Sequence, residues 1–180
     1  MIPTLAVLGT TKSGKTTLIE YLISNLSKEG FKIGTIKHIH EHGFSIDVKG
    51  KDTWRHAKAG AKIVVGAAPN ELVVIRKKET SEYELEEIID LINDRQLDLL
   101  IIEGFHSVVG QRKDIPKIVT AETEEELRRT LSGTVAPVLA ITGSFAKLKT
   151  VPAGVKTPII DIRTEGKKIL AIVQKVFVKK

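Results

Sequence analysis

One octet near the N-terminus restricts what this chain can fold into more than any other feature. Gly9-Thr10-Thr11-Lys12-Ser13-Gly14-Lys15-Thr16 fits the pattern G-x-x-x-x-G-K-[ST] at every fixed position. Its flanks suit it. Ile2 to Leu8 is a short apolar run of strand formers, and a helical pattern follows, with Leu18, Leu22 and Leu26 on one face beside Ile19 and Ile23. Gly30 sits where a helix C-terminal glycine belongs, and Phe31 to Ile36 reads as a second strand. Strand, loop, helix, strand is the opening of a parallel α/β sheet.

In such a loop (the Walker A, or P-loop) the backbone turns tightly and aims successive N–H groups at phosphate oxygens. Gly9, Thr11, Lys12, Ser13 and Gly14 form the cradle. The next helix adds its unpaired N–H groups and the positive end of its dipole. Lys15 is expected to reach the β and γ phosphates, Thr16 to ligate Mg²⁺ and Thr17 to contact the α-phosphate. The residue after the first glycine is Thr10, not lysine, so the loop is of the ordinary kind.

The rest of the chain continues the alternation. Asp52 is expected to cap a helix through Ala59. Lys62–Ala67 and Glu71–Ile75 read as a hairpin about Pro69-Asn70, and Ser81 as the cap of a helix to about Asn93. Leu97–Ile102 is a nearly continuous apolar run, as expected of a strand covered on both faces. Residues 105–115 read as a loop. Ile118–Thr120, Pro137–Ile141 and Pro158–Ile162 read as strands, and helices are expected over Thr123–Leu131 and from the last strand to about Phe177. The expectation is a single domain, 1–180. It is a P-loop NTPase-like three-layer α/β/α fold with a mainly parallel sheet and a β-hairpin excursion.

Two acids on the apolar strand compete for the metal. Ligands in parallel sheets lie beyond the carboxyl ends of strands, so Glu103, at the exit, is assigned to Mg²⁺ or its water shell. Asp98, at the entrance, is assigned a structural role. The polar stretch KHIHEHGFSIDVKGK leaves the same end of the sheet. Its Asp47 is a further Mg²⁺ candidate, and Lys37, His38, Lys51 and Arg55 are candidate contacts to an anionic substrate. His38, His40 and His42 alternate, which on an extended chain puts three imidazoles on one face, as Zn²⁺ or Ni²⁺ would require. The alternative is a polar loop whose histidines bond to phosphate or to nearby acids. Thr142-Gly143-Ser144 follows a strand where a base-recognition loop is expected, although no N-K-x-D guanine signature is present.

Composition narrows the classes. The net charge is +6, but the basic residues are scattered and aromatics make up only 4%, so no stacking surface for nucleic acid emerges. No apolar run suggests a membrane span, no signal peptide precedes the first strand, and there is no cysteine. A cytoplasmic protein is expected.

Four segments in order, GTTKSGKTTL, GFKIGTIKHIHEHGFSIDVKGKDTWRHAKAGA, LDLLIIEGF and PKIV, make the chain resemble the molybdopterin-guanine dinucleotide biosynthesis protein B family up to about residue 145. The resemblance implies GTP as ligand, with weak GTPase activity. It implies an accessory role beside the guanylyltransferase that attaches GMP to molybdopterin, and a homodimer; molybdopterin itself is a further candidate partner. Where the family pattern carries lysine after Glu-Gly-Phe, this chain has His106. The residues alone also admit a P-loop small-molecule kinase, with Asp47 or Glu103 as base, or a metallochaperone GTPase of the nickel-insertion kind.

Overall fold

The computed structural model describes residues 2–41, 43–78, 83–92, 96–148 and 151–177. Its elements are β1 (Thr4–Leu8), α1 (Lys15–Lys28), β2 (Ile33–Lys37), α2 (Asp52–Lys58), β3 (Ile63–Ala68), β4 (Glu71–Arg76), α3 (Leu85–Ile92) and β5 (Leu99–Glu103). They continue with α4 (His106–Val109), β6 (Lys117–Thr120), α5 (Glu124–Ser132), β7 (Val138–Thr142), a 3₁₀ turn (Ser144–Leu148) and α6 (Ile162–Phe177). The chain divides into two compact units, residues 1–38 with 88–180, and residues 39–87.

The first unit is built on a five-stranded sheet in the order β2-β5-β1-β6-β7, every pair parallel. Parallel strands are covered on both faces, which is why β1 and β5 read as unbroken apolar runs. Leu5, Val7, Leu99 and Ile101 face one way and pack with Leu18, Leu22 and Leu26 of α1 and with Ile169 and Val173 of α6. The intervening Ala6, Leu8, Leu100 and Ile102 are as fully buried on the other side. Helix α1 ends as its glycine predicts. The Gly30 amide donates to the Ser27 carbonyl and the Phe31 amide to that of Leu26, the paired bonds of a Schellman turn. Helix α5 is capped by Thr123, whose hydroxyl accepts from the Glu126 amide.

The second unit contains α2 and the antiparallel hairpin β3–β4, registered Val65 to Val74 and Gly66 to Val73. None of the helices among the described residues is long and apolar enough to cross a membrane.

Several boundaries depart from the sequence reading. Asp52 is the first helical residue of α2 and Lys51 its cap. The Asp52 carboxylate faces Arg55 at 3.4 Å and makes no capping bond. Residues 106–109 of the expected loop form a helical turn, entered through Phe105 in a left-handed conformation (φ 54°) that a sequence pattern does not foresee. Pro158–Ile162 makes only a single bridge, Ile159 to Ile141, before α6 begins. The proposed cap Ser81 lies outside the described residues.

Asp98 stands at the amino end of β5. Its Oδ2 accepts the Lys32 amide at 2.8 Å while its own amide donates to the Lys32 carbonyl, stitching β5 to the entry of β2. Asp98→Ala should therefore lower unfolding stability by about 1 kcal/mol. Urea denaturation measures this, and an unchanged midpoint would remove the bond from any account of the sheet.

Candidate functional site

All five strands of the sheet run the same way, so their carboxyl ends share one edge. That edge carries the octet after β1, Lys37 at the end of β2, Glu103 at the end of β5, Thr120 at the end of β6 and Thr142 at the end of β7. The strand order reverses at β1. From β1 the chain goes out to β2, returns to place β5 between the two, and then crosses to β6 and β7 on the other side. Ligands of open α/β sheets bind at such a reversal.

The octet turns sharply there. Gly9 has φ 154°, and a Cβ on it would come within 2.3 Å of the Thr120 carbonyl, so no side chain fits. Lys12 adopts a left-handed φ of 67°, a strained setting of the kind ligand clamps retain. A line of hydroxyls fastens the turn. Ser13 Oγ donates to the Thr10 carbonyl at 2.8 Å and lies 2.6 Å from Thr120 Oγ1, which also reaches the Leu8 carbonyl at 3.3 Å. Ser13 and Thr120 are both almost wholly buried. Thr120 was not singled out from the sequence. A lone threonine closing the apolar run Ile118-Val119 is the signal that marks it.

Lys15 opens α1 and folds back over the loop. Its ammonium donates to the carbonyls of Gly9 (3.0 Å) and Thr10 (2.5 Å). Burial pulls its pKa below the usual lysine value, with Glu103 opposing that shift and Lys37 reinforcing it. Thr16 Oγ1 donates to Glu103 Oε1 at 3.4 Å, and Lys37 Nζ donates to the same oxygen at 3.0 Å. Glu103 thus receives a hydroxyl from α1 and an ammonium from β2. Thr11, Lys12, Thr16 and Thr17 face solvent on the loop and first helical turn.

The expected base-recognition loop packs directly against the octet. A Cβ on Gly143 would lie 2.6 Å from the Ser13 carbonyl and 2.4 Å from that of Ala121, so glycine is required by proximity. Thr142 is buried, and its hydroxyl has no hydrogen-bond partner among the described residues. On the other flank, the His38 ring stacks on Phe105, centroids 4.2 Å apart and 17° from parallel. His106 turns away from the octet to Thr134, Nε2 to Oγ1 3.0 Å. Arg112 forms two bonds of 2.8 Å to Asp114, whose pKa falls to about 2, chiefly through that guanidinium.

Asp47, Lys51 and Arg55 belong to the second unit. Asp47 Oδ1 accepts from Thr53 Oγ1 at 2.8 Å. Of the alternating histidines, His42 lies outside the described residues. Among those described, no three His, Asp or Glu side chains group as a metal site.

One further buried group went unnoticed in the sequence. Lys117 on β6 is 0% exposed and donates to the carbonyls of Arg112 and Val135, and its pKa is lowered by burial. An isolated lysine at a strand start carries no signal of this.

Comparison with known proteins identifies the family and the fold. Residues 4–142 match the family described as molybdopterin guanine dinucleotide synthesis protein B, MobB. A protein of Methanocaldococcus jannaschii is 40% identical over 121 residues, covering 67% of this chain and 48% of that protein. The molybdopterin-guanine dinucleotide biosynthesis adapter proteins of Haemophilus influenzae and Escherichia coli are each 34% identical, covering 68% and 66% of this chain and 65% of each relative. The chain thus spans between about half and two thirds of the length of these relatives. The crystal structure of Bacillus subtilis MobB superposes with a TM-score of 0.76 at 25% identity, covering 99% of this chain and all of that one. A MobB homolog from Bacillus stearothermophilus shares the fold, with a TM-score of 0.72 at 21% identity and the same coverage. With its octet, its acidic strand and its basic β2 loop matched in one continuous stretch, the chain belongs to the MobB family.

Proposed function

We propose that this chain is a GTP-binding accessory protein of molybdopterin guanine dinucleotide synthesis, working beside the guanylyltransferase. The observation that carries the reading is the convergence of Lys15, Thr16 and Glu103 on a turn of backbone amides at the strand reversal. A triphosphate there would displace Lys15 from the Gly9 and Thr10 carbonyls and take its ammonium. The amides of residues 9–17 would receive the phosphate oxygens. Guanine as the base is supported by the family likeness, and molybdopterin is a further candidate ligand.

The oxygen donors suit Mg²⁺. A hydroxyl and a carboxylate already in contact, Thr16 and Glu103, would hold the ion or its waters, leaving most of the shell to phosphate and solvent. Lys37 neutralises Glu103 in the ion's place. When bound, the ion supplies charge neutralisation between the phosphates. Turnover is expected to be slow, because Arg112 is clamped by Asp114 and not presented as a finger to the γ-phosphate. The same clamp disfavours a kinase with an arginine lid.

A homodimer fits the second unit. On the outer face of its hairpin Ile63, Val65, Leu72 and Val74 stand 49–68% exposed in one contiguous apolar strip. Such a strip marks an interaction surface.

Three measurements test the reading. Calorimetric titration with GTP and Mg²⁺ should show binding that Lys15→Ala weakens by about a hundred-fold, the value of a charge-assisted contact of some 3 kcal/mol. The parallel titration with ATP should be weaker. No binding of either nucleotide at millimolar concentration, or equal binding by the variant, would defeat the proposal. Protonation offers a second check. Burial depresses the Lys15 pKa, and an arriving anion raises it again, so triphosphate binding at alkaline pH, below the ordinary lysine value, should take up protons. Titrations in buffers of different ionisation heat read this directly, and Lys15→Ala should abolish the uptake. Third, Val65→Lys with Val74→Lys should convert a dimer to a monomer in sedimentation. An unaltered dimer would place the interface elsewhere.

A further inference from the structure

Glu103 carries two donors on one oxygen. Thr16 Oγ1 and Lys37 Nζ both reach Oε1, at 3.4 and 3.0 Å. The Glu103 side chain is 14% exposed and that of Lys37 is 57% exposed. The acid is therefore held in the sheet edge, while its basic partner reaches it from the water side on a flexible stem.

The backbone beneath the pair is fixed. Lys37 and Glu103 are register partners in the parallel pairing of β2 with β5. The next amide, that of His38, donates to the Glu103 carbonyl at 2.9 Å. Lys37 cannot withdraw without breaking this ladder, so only its side chain is free to swing. Its charge is also felt at Lys15, which itself rests on the Gly9 and Thr10 carbonyls. Two ammonium groups thus flank the octet, one from within it and one from the neighbouring strand.

Glu103 is also the acid that, with Thr16, suits Mg²⁺. An ammonium and a divalent cation repel each other at such a distance, so the carboxylate cannot serve both on one oxygen. Engagement of Glu103 by the ion therefore releases Lys37. In phosphate loops of this kind the ion bridges the β and γ phosphates. An ammonium tethered to the strand beside the ion's acid is accordingly tethered beside the terminal phosphate. It leaves one anion in reach of another.

We propose that Lys37 is a γ-phosphate contact, held on Glu103 until Mg²⁺ claims that carboxylate, and that it thereby sets the preference for triphosphate over diphosphate. The inference rests on the phosphate-loop reading above and adds to it a specificity residue from outside the octet. A diphosphate brings no terminal group to receive the released ammonium. With a triphosphate the ammonium exchanges a carboxylate for a phosphate, and the discrimination follows from that difference. The plainer role, a surface ion pair that only neutralises Glu103, predicts something else. Such pairs contribute little, and the loss of one would touch both nucleotides alike, because the ion's acid serves both.

Calorimetric titration with Mg²⁺ and either GDP or a non-hydrolysable GTP analogue separates the two. Lys37→Met, which keeps the stem and removes the ammonium, should weaken the analogue by about ten-fold or more and leave GDP within about two-fold. Lys37→Gln, whose amide can still donate to Glu103, should do the same, and Lys37→Arg should restore most of the preference. Lys15→Ala is the contrast, since it should weaken both nucleotides. Phosphorus NMR of the bound analogue supplies a local readout: in Lys37→Met the γ resonance should move and the α resonance should not. The inference is overturned if Lys37→Met and Lys37→Gln keep the parent's ratio of triphosphate to diphosphate affinity, if they weaken both nucleotides equally, or if the γ resonance stays in place. Should the parent chain bind neither nucleotide, the phosphate-loop reading is lost and this inference with it. Should the parent bind both and the Lys37 variants keep its ratio, this inference alone is lost.

Discussion

β1 is paired in parallel on both sides, with β5 at Val7–Glu103 and with β6 at Leu8–Val119, and the geometry of the site descends from that pairing. A strand held on both flanks cannot slip without turning its side chains to the wrong face, because the side-chain period is two. Its end is therefore fixed, and so is the start of the octet. The neighbours' ends are fixed with it, which brings Glu103 to one side of the turn and Thr120 to the other. The loop needs no folding energy of its own beyond a few hydroxyl bonds, because the sheet has already decided where it begins.

The charges around the turn form a balanced set. Lys15 rests on two carbonyls, and Glu103 rests between Thr16 and Lys37. Each partner is one that a phosphate or a hydrated cation can replace with a stronger contact. Partial burial of Lys15 costs its charged form something in this state. An anion beside the ammonium offsets that cost, so these contacts favour exchange over permanent pairing.

The parts of this architecture that were legible in the sequence are those governed by periodicity and by residues with few conformational options. The octet, the run Leu97–Ile102 and the Gly30 stop each have one dominant physical reading, and the structure follows them. Glu103 was separable from Asp98 because direction along a parallel strand decides which end meets ligands. What could not be read depends on tertiary neighbours. The hydroxyl partnership of Ser13 with Thr120 spans 107 residues. The helical turn after Phe105 rests on a left-handed residue that carries no glycine to announce it. Asp52 had the right chemistry for a cap but falls one position inside its helix, and cap geometry is decided at that resolution. Pro158–Ile162 has strand composition, yet β7 offers it only one bridge before the chain turns into α6.

Lys117 has a consequence for how this molecule meets reagents. Its amine is enclosed by peptide carbonyls on the interior of the sheet, while the remaining lysines named above reach water. Acylating agents attack the unprotonated amine and must first touch it. In the native fold this one nitrogen is therefore screened, and it becomes available only when β6 parts from its surroundings. A single peptide mass, carrying or lacking one acyl group at this position, would thus record how often the amino end of β6 opens, independently of any ligand at the opposite edge.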